Sequence, residues 1–216
     1  MKKVAIFDID GTIIKDISSE RVFFRYLFNK KIITFKDLLR YAAMYLIKLF
    51  TFKGIYVRRN KFYVKGKKYD SIVSEAQKCF NDRLAKHISS DALEEIRILK
   101  SNGYKIILLS GTLDPLMECF KTFCKADQGI ATSLKMVDGI ITGEIDGIYA
   151  YHKGKTDVVR RLANEDDIDL AKSYAYANEE IDIEFMQMVG NPVAVNADMQ
   201  LKKHADKNKW RIVEFN

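Results

Sequence analysis

The stretch KKVAIFDIDGT, residues 2–12, decides how the rest of the chain is read. A short, unbroken apolar run from Val4 stops abruptly at Asp8, and Asp10 and Gly11 follow at once. Continuous apolar runs of this length are the pattern of a strand buried on both faces, and an Asp-Gly pair after such a run marks a turn. The run is too short for the apolar segment of a signal peptide, and no small-residue cleavage site follows it, so a strand is expected and export is not.

Outward from this strand the chain alternates in type. SSDALEEIRILKSNGY reads as an amphipathic helix with an N-cap serine and a stop at Gly103, and KIILLS reads as a second strand. LDPLMECFKTFCKAD is helical, IATSLKMVDGIITGEIDG is strand, Asp-Gly turn and strand, and GKTDVVRRLANE is helical. SYAYA is a strand, EEIDIEFMQMVG a helix closed by Gly190, PVAVN a strand, and RIVEF a last short strand. Strands that alternate with helices imply a parallel sheet with right-handed crossovers. Residues 17–85 break the alternation with helical, aromatic-rich sequence and are expected to form an inserted helical lobe.

Composition narrows the partners. The 216 residues are 48% hydrophobic, enough for one core and a smaller lobe. Three cysteines, Cys79, Cys119 and Cys124, have no metal-ligand spacing and make an odd count, which fits a reducing cytoplasm. The formal charge is +7, and from Leu38 to Tyr69 there are nine Lys or Arg and no Asp or Glu. No nucleic-acid recognition module accompanies these cations, so nucleic acid is not an expected partner. Within the window, Leu39, Ala42, Leu46 and Leu49 follow helical spacing; the expectation is a helix packing this face on its neighbours, with peripheral contact to an anionic membrane as the alternative. The uncharged run there falls far short of the ~20 residues of a membrane span.

In open parallel sheets, ligands sit beyond the carboxyl ends of the strands. Asp8 and Asp10 end the first strand, Ser110, Gly111 and Thr112 the second, and AYANEEID, residues 175–182, the strand near the C-terminus; Lys155 begins the helix before it. A carboxylate at Asp8 can attack phosphorus, and Asp10 can protonate the departing oxygen and then deprotonate water. Gly11 permits the sharp turn, while Ser110 and the N–H of Gly111 can bind phosphoryl oxygens and Lys155 can offset their charge. Mg²⁺ is required because a carboxylate and a phosphate dianion repel each other unless a hard cation lies between them. His87, His152 and His204 lie apart and are not expected to be ligands.

IFDIDGT, LLSGT, GKTDVVRRL and the stretch from SYAYANEEID to RIVEF together resemble the haloacid dehalogenase superfamily, in its phosphoserine phosphatase-like branch. The resemblance implies an α/β fold: a three-layer Rossmann-like parallel sheet core over residues 1–16 and 86–216, with an all-helical cap over 17–85. It further implies a hydrolase acting on a small phosphorylated metabolite. A monomer or a dimer is expected. Asp8 would be the nucleophile, Asp10 the general acid and base, and Ser110 and Lys155, with Gly11 and Gly111, the phosphate binders. Asp8, Asp10, Asn178 and Asp182 would hold Mg²⁺.

The chain departs from the family's Gly-Asp-Ser-x-x-Asp pattern at Ala177, Asn178 and Glu179, while keeping Asp182. An amide oxygen at Asn178 coordinates as a dipole, and the lost charge costs on the order of 1–3 kcal/mol of metal affinity. Glu179 or Glu180 restores that charge if turned inward; as acids at a helix start, both are expected to face solvent. Two alternatives to an active phosphatase follow: a phospho-ligand-binding homologue with weakened turnover, and a peripheral lipid-phosphate phosphatase. At the mouth, Arg58 and Arg59 could meet a substrate anion and Asp16 or Glu20 an amine.

Overall fold

The computed structural model describes residues 1–51, 61–147, 149–165 and 167–216, with the backbone alone at positions 44, 45 and 48–51. Arg58 and Arg59 lie outside the described residues. Six strands form one parallel sheet: β1 (Val4–Phe7), β2 (Lys105–Leu113), β3 (Gln128–Thr132), β6 (Tyr174–Ala177), β7 (Asn191–Val195) and β8 (Arg211–Val213), in the order β3-β2-β1-β6-β7-β8. A separate antiparallel hairpin pairs β4 (Leu134–Val137) with β5 (Ile140–Ile145).

Central β1 is buried along its length, as its unbroken apolar sequence requires of a strand covered on both faces. Side chains alternate between two cores. Ala5, Phe7, Ile106, Leu108 and Tyr176 enter one; Val4, Ile6, Ile107, Leu109, Ala175 and Ala177 enter the other. The first core is covered by α4 (Ser90–Ser101) and α5 (Asp114–Phe123), through Ala92, Ile96, Leu116 and Phe120. The second is covered by α6 (Lys153–Glu165), α7 (Ile183–Met186) and α8 (Met199–Asn208), through Val158, Leu162, Phe185 and Leu201. The expected three layers are present. Ser89 caps α4 by accepting the N–H groups of Asp91 and Ala92, and Gly103, at φ +79°, turns the chain toward β2.

Between β1 and α4 lie α1 (Ser19–Asn29), α2 (Phe35–Thr51) and α3 (Tyr69–Cys79). Phe23, Leu27, Ile72, Ala76 and Phe80 continue the first core, so this lobe sits on the same face of the sheet as α4 and α5. The hairpin is drawn onto the lobe by backbone bonds: Lys61 donates to Gly143, Gly66 to Ile141 and Tyr69 to Gly139.

Three local expectations change. The second strand runs on through Ser110-Gly111-Thr112 to Leu113, with its pairing to β3 shifting register between Leu109 and Leu113. The expected helix over residues 179–190 is a 3-10 turn at Glu180–Asp182 followed by the single turn of α7, and Gly190 does not stop a helix. A Cβ at Gly190 would lie 1.8 Å from the Ala171 carbonyl oxygen, so the glycine is there for close backbone packing. Finally, α2 does not turn Leu39 and Leu46 inward: they are 55% and 53% exposed, and Asp37 is buried instead. Local bonding decides this, because the N–H and hydroxyl of Thr34 donate to Asp37 at 2.8 and 2.9 Å and Lys67 reaches it at 3.3 Å.

Candidate active site

Asp8 stands one residue beyond β1, and its backbone N–H still donates to the Tyr176 carbonyl of β6 at 3.0 Å. The sheet ladder therefore fixes the position of its side chain. Asp8 is buried and its Oδ1 accepts the Lys155 ammonium at 2.8 Å, leaving its second oxygen without a donor among the described residues. Lys155 comes from the first turn of α6, is itself buried, and lies 2.8 and 2.9 Å from the two oxygens of Asp182. The Lys155 ammonium also stands 5.4 Å from the centre of the Phe185 ring.

Burial is the largest influence on both aspartates of the first strand. It pushes the Asp8 carboxyl up from the usual range; Lys155 opposes it and the Asp182 charge adds to it. Asp10 is raised as well, mainly by burial, although the Ser18 and Ser19 hydroxyls and the Ser19 N–H, at 3.0 Å, favour its charged form. For Lys155, burial alone would lower the pKa, and the charges and hydrogen bonds of Asp182 and Asp8 reverse that.

After Asp10 the chain turns at Gly11, φ +82°, which brings its backbone against the Asn178 side chain. A Cβ at Gly11 would lie 2.0 Å from Asn178 Nδ2, so both the turn and the contact demand glycine. The Asn178 Oδ1 is 3.5 Å from the Thr12 hydroxyl, and the Gly11 carbonyl accepts the Asn196 amide at 3.2 Å. From β2, buried Ser110 accepts the Thr112 N–H at 3.3 Å. Gly111 packs beneath Tyr151, and its carbonyl accepts the Thr132 hydroxyl at 2.9 Å.

Asp8, Asp10, Gly11, Ser110, Gly111, Lys155, Asn178 and Asp182, drawn from four separate segments, line one cleft of about 440 Å³. This is the size of a small-molecule site. Glu179 lines it too, at the exposed rim, with its carboxyl raised by partial burial and by Asp182; Glu180 instead donates its N–H to Asp198. Asp16 and Glu20 are both at the mouth, and Glu20 is already engaged by Lys61 at 2.7 Å and by the Tyr63 hydroxyl at 2.9 Å. The sequence reading missed Tyr149, Tyr151, Arg21 and Asn196. Only Asn196 carried a readable signal, since PVAVN ends a strand of the same sheet in a polar residue.

The profile of the haloacid dehalogenase-like hydrolases matches residues 5–187, spanning every one of these segments. The chain belongs to that family. Among relatives, it is 27% identical over 99% of its length to the inhibition of morphological differentiation protein of Streptomyces azureus, covering 79% of that protein. It is 25% identical over 98% of its length to a phosphoserine phosphatase of Mycobacterium tuberculosis, covering 70% of that protein. Its fold is similar to that of a Bordetella pertussis protein of unknown function, with a TM-score of 0.81, 18% identity and coverage of 99% of this chain and 98% of the other.

Six carboxylates and two cations line the hydrolase cleft, an excess of negative charge that suits a bound cation. Asp182 Oδ1 is buried without a hydrogen-bond partner among the described residues, its approach to Lys155 lying outside hydrogen-bond geometry. No three of the described Asp, Glu, His or Cys residues converge to enclose an ion by themselves. Together these features fit a hard cation such as Mg²⁺, which takes few carboxylates and completes its shell with carbonyl, amide and water oxygens. They do not fit a closed zinc cage.

Proposed function

We propose that the protein is a Mg²⁺-dependent phosphatase that hydrolyses a small phosphomonoester through an aspartyl-phosphate on Asp8. The observation that carries this reading is the position of Asp8: buried beyond the central strand, one oxygen held by Lys155, the other without a donor, in a cleft of metabolite size. Asp8 attacks phosphorus, and the bond to the ester oxygen breaks. Asp10, whose burial favours the protonated form, donates its proton to the departing alcohol. As a carboxylate it then takes a proton from water, which attacks phosphorus and releases inorganic phosphate and Asp8. Ser110 and the N–H of Gly111 orient the phosphoryl oxygens, and Lys155 faces the charge gathered on them. Asp8, the Asp10 carbonyl, Asn178 and Asp182 would hold Mg²⁺, which when bound supplies the charge that lets a carboxylate approach a phosphate dianion.

A panel of phosphomonoesters assayed for phosphate release with saturating Mg²⁺ and with chelator tests this reading. Turnover that needs the metal and falls at least about ten-thousand-fold in Asp8→Asn is the expected result. Tight binding of phosphate, with no release from any ester even after Asn178→Asp, would establish the alternative of a ligand-binding homologue.

A further inference from the structure

The outer face of α2 has no role in the cleft chemistry and has an unusual composition. Phe35, Leu39 and Leu46 are 67%, 55% and 53% exposed, and exposed Ala42 lies between them. Their spacing places all four on one stripe of the helix. Exposed Lys36 and Arg40 each follow a stripe residue by one position and so flank the stripe along the same side. The helix has a single acid, Asp37, and that acid is buried against Lys67 and Thr34, with the guanidinium of Arg40, itself 54% exposed, 3.9 Å from its other oxygen. Its outward face is therefore apolar and cationic, with no negative charge, and the chain beyond it adds cations without an acid through Tyr69.

We propose that α2 is a docking helix for an anionic lipid bilayer, lying in the plane of the surface with Phe35, Leu39 and Leu46 at the headgroup boundary and Lys36 and Arg40 on lipid phosphates. Scattered exposed leucines are ordinary on a protein surface; an aligned stripe flanked by cations is the pattern of an interfacial helix. Charge decides among the occupants. A second copy of this chain would present the same cationic face and repel it, and a nucleic acid would leave the apolar stripe against sugar and phosphate. An anionic bilayer satisfies both halves of the face at once. The helix lies on the surface, because no helix among the described residues is long and apolar enough to cross a membrane. The turn at Lys61–Val64 packs against α2 and holds Glu20 of the cleft through Lys61, so docking places the cleft one element away from the lipid. The docking does not depend on the phosphatase reading, because its test measures no turnover.

The full chain is pelleted with vesicles of phosphatidylcholine alone and of phosphatidylcholine and phosphatidylglycerol in equal parts, at low and high salt. Wild type is expected to pellet with the anionic vesicles and not the neutral ones, less so at high salt. The exposed-site variant Leu39→Gln/Leu46→Gln is expected to lose binding at least about ten-fold with an unchanged melting temperature. Lys36→Gln/Arg40→Gln is expected to bind more weakly and with a shallower salt dependence. Three results overturn the proposal: no pelleting of wild type with anionic vesicles at low salt, equal pelleting of the leucine variant, or a wild-type dimer that the leucine variant converts to monomer without any lipid binding.

Discussion

Two lysines of this chain are buried to nearly the same degree and sit in opposite electrostatic situations. Lys61, between the lobe and the hairpin, has side-chain exposure of 6% and faces one carboxylate, Glu20, which the Tyr63 hydroxyl also engages. One charge meets one charge, and Glu20 is 28% exposed, so water can reach it. Lys155, with side-chain exposure of 4%, lies between Asp8 and Asp182 in a cleft that also holds Asp10 and Glu179. One ammonium there serves several acids, and burial keeps both Asp8 and Asp10 raised. A balanced pair is a structural element; an unbalanced buried one stores negative charge that a cation and a phosphoryl group can relieve.

The difference predicts separable consequences. Lys155→Met is expected to lower turnover at least about a thousand-fold, read as phosphate release under saturating Mg²⁺. Lys61→Met is expected to leave turnover within a few-fold at temperatures where it stays folded, and to cost about 1–3 kcal/mol in chemical denaturation, because Glu20 loses its cation but, 28% exposed, keeps the Tyr63 hydroxyl and reaches water. Replacing both members, Lys61→Met with Glu20→Gln, is expected to recover much of that loss. If Lys61→Met cost as much turnover as Lys155→Met, the distinction between the two sites would be wrong.

The charge imbalance can also be changed from the metal side. Asn178 contributes an amide where a carboxylate would add full charge, so Asn178→Asp is expected to tighten Mg²⁺ by about 1–3 kcal/mol. The measurement is the rise in melting temperature with Mg²⁺ concentration, compared between wild type and variant. Glu179→Gln is expected to weaken Mg²⁺ binding by less than Asn178→Asp strengthens it, because Glu179 stands at the exposed rim. A larger effect from Glu179 would make it a direct participant in the metal site.

How much of this was legible in the sequence differs between the same two regions. The sheet was legible because β1 and β2 are continuous apolar runs and their polar ends follow at once, so strand ends and site residues were found together. Asp8, Asp10, Ser110, Lys155, Asn178 and Asp182 do meet in one cleft. Glu20 and Lys61 were not legible as a pair: they are 41 positions apart, and nothing in either local pattern announces the other. The orientation of α2 was misread for a related reason. Apolar periodicity locates a stripe without saying which way it points, and the bonds from Thr34 and Lys67 to Asp37, with Tyr41 packed on Tyr63, turned the Asp37 and Tyr41 side inward. Tyr149 and Tyr151 reach the cleft from a loop, where periodicity carries no information.

A third charged group, Glu95 on α4, tests whether balance itself is what matters. It accepts the Tyr176 hydroxyl at 2.7 Å and Arg211 at 2.6 Å, joining the helix to β6 and β8. Burial would raise its pKa, and the hydrogen bonds from Arg211 and Tyr176 with the Arg211 charge outweigh it, leaving the group below its usual 4.5. A depressed carboxylate contributes stability that is complete above the unfolded value and is lost as pH falls through the folded one. Glu95→Gln keeps an acceptor for Tyr176 and removes the charge, so it is expected to cost at most about 1 kcal/mol near neutrality, given the half-exposed Arg211. As pH falls below 4.5 the gap between variant and wild type should narrow, and it should close once the pH has passed below the depressed folded value, where the folded wild type has lost the same charge. Denaturation measured on both proteins across that range checks it, with turnover unchanged throughout. A balanced pair should leave its mark on the acid limb of stability and nowhere in the rate; a change in phosphate release from Glu95→Gln would mean that a charge outside the cleft lining still sets the field in which Asp8 reacts.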